Sequence, residues 1–157
     1  MRVIATRERV EKTKPDFVEK VFGPTELDAM LGRSDFVVIA APLIPSTESL
    51  MNAARFAAMK ASAYLVNVGR GPQVDEPALI EALRTGRIAG AGLDVFDHEP
   101  LPSDSLLWNV EKLLITPHTA GMTEKLWHRH YELFSENLQR YLAREPLQSV
   151  VDKHKGY

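Results

Sequence analysis

The amino-acid sequence predicts an α/β fold with a partial doubly wound, Rossmann-like parallel sheet covered by helices. Along its 157 residues, short apolar runs alternate with stretches of helical periodicity, which is the pattern of βαβ units. The runs are nearly continuous in apolar character, as expected where helices cover both faces of a sheet. Polar residues follow several of them, at the place where open α/β sheets bind ligands.

Five strands are identified by these apolar runs, and a sixth is predicted at an edge of the sheet. The first strand is followed by Thr6 and Arg7, like the second strand of a doubly wound fold. No Gly-x-Gly-x-x-Gly follows a strand, so the first βα unit with its glycine-rich loop is expected to be missing. The strands are predicted at residues 3–5, 36–41, 63–68, 90–95 and 113–116, and the edge strand at residues 17–22.

Two helices are predicted from their end signals. Thr25 can cap the first helix through its hydroxyl, and Glu26 suits the positive end of the helix dipole. The second helix begins at Asp75, has Pro77 in its first turn and is expected to stop at Gly86.

The longest helix is predicted over residues 123–144, where apolar side chains recur on one side. Such a stripe can pack in a core or serve a cofactor, and we predict that it packs in the core. The stripe consists of Leu126, Tyr131, Phe134, Leu138 and Leu142.

The composition is that of an ordinary soluble globular protein, with 45% hydrophobic residues, 25% charged residues and a formal net charge of -2. Nothing is basic enough to indicate a nucleic-acid partner, and no apolar stretch reaches the roughly 20 residues that span a membrane. The absence of cysteine excludes disulfides and fits a cytoplasmic location. His128 and His130 stand two apart on a helix and face different directions, so no metal site is predicted.

Arg70 directly follows a predicted buried strand, between Gly69 and Gly71, which let the chain turn sharply. It is expected to point from the carboxyl end of that strand into the ligand-binding crevice. A guanidinium group there can hold a carboxylate through two parallel hydrogen bonds, which suits a substrate with a carboxylate beside a carbonyl or hydroxyl carbon. The alternative is that Arg70 binds a helix end or lies in solvent.

Glu99 and His118 follow the next two predicted strands. Histidine can exchange a proton near neutral pH, which a hydride transfer to or from a hydroxyl-bearing carbon requires. A carboxylate against the far ring nitrogen would fix the tautomer, and Glu99 could provide it. Either residue alone could be structural, but their position at successive strand ends with Arg70 predicts a catalytic set of Arg70, Glu99 and His118.

The segments around Arg70, Glu99 and His118, in this order, closely resemble the signatures of the D-isomer-specific 2-hydroxyacid dehydrogenase family, of the glyoxylate/hydroxypyruvate reductase type. The resemblance covers essentially the whole chain, including residues 41–47 and 150–152. It implies an oxidoreductase that transfers a hydride between NAD(P) and a small 2-hydroxy or 2-oxo acid, usually as a homodimer. It also implies that Arg70 binds and polarises the acid, Glu99 tunes the histidine and His118 exchanges the proton.

The same resemblance implies a set of residues that contact the cofactor. Asp94 looks like the family's contact to the nicotinamide carboxamide, and Pro42 and Gly121 match positions that line the cofactor cleft. Arg7 stands where relatives that prefer NAD usually have an acid, which favours NADP; the alternatives are that it stacks on adenine or is solvated. The full set is Thr6, Arg7, Ala41, Pro42, Asn67, Val68, Gly69, Asp94, His118, Ala120 and Gly121.

The chain is expected to form a truncated dinucleotide-binding domain over residues 1–145 and a tail over residues 146–157, which in the family returns to a separate substrate domain. Because the missing glycine-rich loop normally holds the pyrophosphate, the chain alone is predicted to be inactive. It is expected to be a proteolytic remnant, a misplaced start or a fragmentary reading frame of a longer enzyme. The alternatives are a non-catalytic nucleotide-binding module and a degenerate fragment.

Overall fold

The computed structural model describes residues 1–8, 10–11 and 13–154. They contain two sheets, each built of parallel strands. The smaller sheet joins β1 (Val3–Thr6) to β2 (Val18–Phe22). The larger sheet has four strands in the order β3-β4-β5-β6. Its strands are β3 (Phe36–Ile39), β4 (Tyr64–Asn67), β5 (Gly90–Leu93) and β6 (Leu113–Ile115).

Every strand pair is parallel, so the carboxyl ends of the four strands of the larger sheet lie at one edge. Across this sheet Val37 lies opposite Leu65, and Leu65 lies opposite Ala91. Within the described residues no ladder joins β1 to β3, and each of these two strands keeps one unpaired edge. This topology confirms the predicted partial doubly wound α/β fold.

Helices connect the strands. Helix α1 (Leu27–Leu31) leads from β2 to β3, α2 (Ala53–Ala58) from β3 to β4, and α3 (Glu76–Arg84) from β4 to β5. A 3-10 turn at Leu106–Asn109 precedes β6, and α4 (Leu126–Ala143) is the last helix of the described chain.

The core packs these first three helices against the larger sheet. Leu31, Leu65 and Leu79 are fully buried in one apolar cluster. Each such side chain contributes about 1.5–3 kcal/mol through burial. Phe36 and Val38, which alternate with the buried residues of β3, are exposed. The expectation that helices cover both faces of every strand is therefore wrong for β3.

All six predicted strands are present, and those of the larger sheet end up to two residues before the predicted bounds because the ladder stops where the chain turns into loops. The ends of α3 are confirmed: the Asp75 side chain accepts a hydrogen bond from the Ala78 N–H at 3.0 Å, and Gly86 has a φ of 68° just after the helix. The predicted cap at Thr25 is wrong. Thr25 lies inside a 3-10 turn, Pro24–Glu26, and α1 begins only after it.

Helix α4 has an apolar side that no part of the described chain covers. Tyr131, Phe134 and Leu142 are 71%, 68% and 74% exposed, and Leu138 is also exposed. The prediction that this stripe packs in the core is wrong for this chain. Helical periodicity correctly indicated an amphipathic helix, but periodicity does not say what the apolar side packs against.

The residues after α4 fold back on it. The Gln148 N–H donates to Asn137 Oδ1 at 2.8 Å, and Asn137 Nδ2 donates to the Gln148 carbonyl at 3.2 Å. Residues 155–157 of the predicted tail lie outside the described residues. Among the helices of the described chain, none combines the length and the apolar character that a membrane crossing requires.

Candidate active site

Polar residues follow β4, β5 and β6, three neighbouring strands whose carboxyl ends meet at one edge of the sheet. Arg70 follows β4, Glu99 follows β5 and His118 follows β6. The structure brings Glu99 and His118 into direct contact. The turn that carries Arg70 packs against Phe96 through Gly71, and the Phe96 N–H binds Glu99. The three predicted catalytic residues therefore lie at one place.

Arg70 and the 3-10 turn Gly71–Gln73 that follows it form the arginine turn. Gly71 lets this turn pack closely against the segment that leads to Glu99. A Cβ atom at Gly71 would overlap the carbonyl carbon and oxygen of Phe96. Any side chain at this position would push the two main chains apart. The glycine after Arg70 therefore sets the spacing between the loops that follow β4 and β5.

Two buried amide side chains hold the main chain around Arg70. Asn67 Oδ1 accepts from the Gly69 N–H at 3.0 Å, and Asn67 Nδ2 donates to the Arg70 carbonyl at 3.0 Å. Gln73 Oε1 accepts from the Arg70 N–H at 2.8 Å. Asn67 and Gln73 are both 0% exposed. Both polar groups of the Asn67 side chain are used inside the protein, and its predicted contact to the cofactor stays a prediction.

The Arg70 side chain is exposed, and its Nη1 donates to the Gly69 carbonyl at 2.7 Å. This contact is to its own turn rather than to a helix end. A guanidinium group has five N–H donors, so one such contact leaves donors available for an anion.

Glu99 is fixed at both carboxylate oxygens. Oε1 accepts from the Phe96 N–H at 2.9 Å, and Oε2 lies 2.6 Å from His118 Nδ1. The hydrogen bond from His118 is the main reason that the pKa of the Glu99 carboxyl lies below its ordinary value, and the Phe96 N–H and the Arg70 charge act in the same direction. Glu99 is therefore a carboxylate at neutral pH.

His118 has left-handed backbone geometry, with a φ of 52°, and its N–H donates to the Thr116 carbonyl at 3.1 Å. Histidine is among the residues that enter this region more often than most, but the conformation still needs support from its surroundings. Here the support comes from hydrogen bonds on both sides of the residue.

Asp94 provides that support from the end of β5. Its Oδ1 accepts from the Thr116 hydroxyl at 2.6 Å and from the Thr119 N–H at 2.9 Å, and Oδ2 accepts from the Ala120 N–H at 2.8 Å. Burial alone would raise the pKa of Asp94, but these hydrogen bonds outweigh it, and the pKa lies below its ordinary value. Asp94 thus holds the loop that carries His118, whereas its predicted contact to the cofactor stays a prediction.

A cavity of about 770 Å³ lies beside the acid and the histidine. Its walls are mostly apolar, and Glu99 and His118 supply the titratable groups. The apolar residues that line it are Phe96, Pro100, Leu101, Trp108, Ile115 and Pro117.

The predicted cofactor residues lie at the ends of β1, β3, β4, β5 and β6. Thr6 is the last residue of β1, and Arg7 Nη1 donates to the Thr13 carbonyl at 3.3 Å. The carbonyls of Ala41 and Pro42 each accept a hydrogen bond from Gln73 Nε2 at 3.3 Å. The remaining predicted residues, Val68, Gly69, Ala120 and Gly121, lie in the loops after β4 and β6.

A parallel sheet with polar residues at the carboxyl ends of its strands is typical of open α/β folds, which bind their ligands at that edge. The sequence profile of the family described as D-isomer specific 2-hydroxyacid dehydrogenase, NAD binding domain, matches residues 1–120. The chain therefore belongs to the D-isomer specific 2-hydroxyacid dehydrogenase family, as its resemblance to that family predicted.

Relatives and solved structures agree with this assignment. The chain is 43% identical over 129 residues to a glyoxylate reductase of Thermofilum pendens, covering 82% of this chain and 38% of the relative. A 2-hydroxyacid dehydrogenase of Xanthobacter autotrophicus Py2, solved with NADPH and MES, has a TM-score of 0.89 and 40% identity over 99% of this chain and 63% of that one. An NADPH-dependent glyoxylate/hydroxypyruvate reductase of Sinorhizobium meliloti, solved with NADP and sulfate, has a TM-score of 0.89 and 34% identity over 99% of this chain and 49% of that one.

The chain spans less than half the length of the curated relatives that it matches, between 38% and 46% for the first of them. The activity, substrates and partners of the whole protein are therefore matters of proposal.

Proposed function

We propose that this chain carries the carboxylate-binding and proton-transfer groups of an NAD(P)-dependent 2-hydroxyacid dehydrogenase, which acts on a small 2-oxo or 2-hydroxy acid. The observation that carries the proposal is the 2.6 Å contact between Glu99 and His118, beside the exposed Arg70. The relative named glyoxylate reductase supports glyoxylate-sized acids as the substrate class.

Each of the three residues has a chemical role in this proposal. Arg70 binds the substrate carboxylate and orients the neighbouring carbonyl group. His118 gives a proton to the carbonyl oxygen in reduction and takes it back in oxidation; because Nδ1 faces Glu99, the exchanging atom is Nε2. Glu99 fixes the ring and offsets the positive charge that the ring carries when both nitrogens are protonated.

A bound nicotinamide would supply or accept the hydride. The residues of this chain that would hold it are those at the strand ends, where Val68, Ala120 and Gly121 are exposed. Apart from Gly121 and its two chain neighbours, no atom lies within 4 Å of the position that a Cβ at Gly121 would take, so this side is open to a flat ring. The relatives solved with NADPH and NADP support the NADP preference inferred from Arg7.

We also propose that the chain alone binds the cofactor weakly and does not turn over. Its sequence contains no Gly-x-Gly-x-x-Gly loop, whose amides would hold the pyrophosphate. The division into a truncated dinucleotide-binding domain over residues 1–145 and a tail over residues 146–157 is part of this proposal. We further propose that the whole protein is a homodimer in the cytoplasm. Sedimentation velocity would test the homodimer.

Oxalate tests the proposed carboxylate site without requiring turnover. We expect the ¹⁵N-labelled chain to bind oxalate with chemical-shift changes centred on Arg70, and we expect Arg70→Met to lose this binding. Arg84→Met is the matched control, because Arg84 is an exposed arginine on α3 that pairs with Glu81. If oxalate did not bind, or bound equally well to Arg70→Met, the proposed function would be wrong for this chain.

Turnover is tested separately by following NADPH oxidation with glyoxylate. We expect no rate above that of His118→Asn. A rate that depends on His118 would contradict the proposed inactivity of the chain while supporting the proposed reaction.

A further inference from the structure

We infer that Gln73 is the positioning residue for Arg70, because its buried amide fixes the main chain of the arginine and connects it to the loop that follows β3. The inference rests on the proposed role of Arg70 in binding the substrate carboxylate. Neither the sequence pattern nor the family resemblance assigned a role to Gln73.

The contacts of Gln73 join two parts of the site, the turn at Arg70 and the loop that follows β3. Oε1 accepts from the Arg70 N–H at 2.8 Å, and Nε2 donates to the carbonyls of Ala41 and Pro42, each at 3.3 Å. The side chain is 0% exposed. A buried amide is costly unless its polar groups find partners, and here both groups do. The side chain therefore links the arginine turn to the predicted cofactor cleft.

The turn itself does not require this side chain. Main-chain hydrogen bonds already close it, from the Gln73 N–H to the Arg70 carbonyl at 3.2 Å and from the Val74 N–H to the Gly71 carbonyl at 2.9 Å. The amide of Gln73 adds a restraint on the Arg70 N–H, and Asn67 Nδ2 restrains the Arg70 carbonyl at 3.0 Å. Both polar groups of the arginine's main chain are thus held by buried side chains.

Gly69, which has no side chain, leaves room for the amide of Gln73. A Cβ atom at Gly69 would overlap Gln73 Oε1, so the residue before Arg70 can have no side chain while Gln73 occupies its place. The amide thereby fixes the main chain from which the exposed guanidinium side chain extends. Carboxylate binding depends on the direction of the guanidinium, because two parallel hydrogen bonds require a fixed orientation.

Replacement of Gln73 by methionine, which has a similar length and no polar group at its end, tests the inference. We expect the Arg70 amide of Gln73→Met to exchange its hydrogen about tenfold faster, and oxalate affinity to fall about tenfold, as misplaced binding groups commonly cause. Amides in α3 should exchange at unchanged rates. Gln148→Met is the control for the same change at an exposed glutamine, whose Nε2 donates to Glu136 on α4.

The outcomes separate this inference from the proposed function. If the wild type binds oxalate, Arg70→Met does not, and Gln73→Met binds like the wild type, the inference is wrong and the proposed function stands. Faster exchange at Arg70 with unchanged oxalate affinity makes Gln73 merely structural and also overturns the inference. If the wild type does not bind oxalate, the proposed function fails and the inference fails with it.

A measurement on the wild type covers the case in which Gln73→Met does not fold. A scalar coupling across the hydrogen bond, from the Arg70 amide nitrogen to the Gln73 side-chain carbonyl carbon, is expected. Its absence, with the Asn67 coupling to Gly69 present, would overturn the inference.

Discussion

Oε2 of Glu99 lies 2.6 Å from Nδ1 of His118, although the two residues are 19 positions apart and follow different strands. The other oxygen of Glu99 is held by the Phe96 N–H at 2.9 Å. The carboxylate is thus oriented by the fold itself, and it orients the ring before a substrate binds.

The first prediction concerns acid stability. Because the pKa of Glu99 is lowered in the folded chain, the pair stabilises the fold fully above the ordinary carboxyl pKa, and this stabilisation is lost as the pH falls through the lowered value. We expect the wild type to exceed Glu99→Gln in unfolding free energy near about pH 6, and the difference to vanish well below about pH 4. Urea unfolding at a series of pH values measures it.

Asp104→Asn is the control for this series, because Asp104 is an exposed acid in the loop between Glu99 and β6. Its unfolding free energy is compared with that of the wild type and of Glu99→Gln at each pH. An effect of Glu99→Gln that stayed the same down to strongly acid pH would contradict the predicted ion pair.

The second prediction concerns the loop that carries His118. Asp94→Asn keeps one carbonyl oxygen but places an NH₂ group where an N–H or hydroxyl donor needs an acceptor, and we expect a loss of about 2–3 kcal/mol in unfolding free energy. Thr116→Val removes one of the three hydrogen bonds and should cost about 1 kcal/mol. Urea unfolding compares both with Thr123→Val, an exposed threonine beyond the loop. Equal costs for Asp94→Asn and Thr116→Val would argue against the threefold role of Asp94.

The third prediction concerns the close approach at Gly71. We expect Gly71→Ala to destabilise the chain by about 3 kcal/mol, because the added Cβ overlaps the Phe96 carbonyl group. Gly92→Ala, at a position with no atom within 4 Å of the new Cβ, should cost less than about 1 kcal/mol. Chemical denaturation distinguishes them, and similar costs would show that the two loops can move apart freely.

The fourth prediction compares a buried apolar side chain with an exposed one. Phe56 is 1% exposed, and Phe56→Ala should cost about 3–5 kcal/mol through the cavity that it leaves. Phe134 is 68% exposed on α4, and Phe134→Ala should change the unfolding free energy by less than about 0.5 kcal/mol. Thermal unfolding at low protein concentration measures both. A large loss at Phe134 would mean that the apolar side of α4 is covered in solution.

The fifth prediction concerns the choice of cofactor. We expect Arg7→Asp to weaken NADP binding by about tenfold or more, because an acid repels the 2′-phosphate, and to leave NAD binding unchanged or improved. Calorimetric titration with each nucleotide measures the two affinities. Equal weakening for both would mean that Arg7 acts on a part that the two cofactors share.

The order of the strands and of helices α1, α3 and α4 could be predicted because it depends on local patterns, whereas α2 (Ala53–Ala58) was not predicted. Apolar runs mark the strands, and Asp75 and Gly86 mark the ends of α3, since caps act within a few residues. The apolar side of α4 was assigned wrongly, because a stripe at helical spacing identifies an amphipathic helix without identifying its partner.

The site could be predicted only in part. Glu99 and His118 are residue types that carry chemistry, and their place after successive strands was enough to bring them together. Asp94 binds main-chain groups 25 and 26 positions away, which no spacing rule reveals. Gln73 is a polar residue whose burial depends on a loop 31 and 32 positions earlier, and the one local signal was its place three residues after Arg70.

The left-handed backbone of His118, with its φ of 52°, has a consequence for mutagenesis at this position. Alanine removes the imidazole, but it also avoids this backbone conformation. The effect of His118→Ala therefore combines the loss of the proton-transfer group with a distortion of the loop. Asparagine enters the same region far more readily and removes the imidazole with less distortion. The difference between the two variants isolates the backbone cost, and His118→Asn is the cleaner probe of proton transfer.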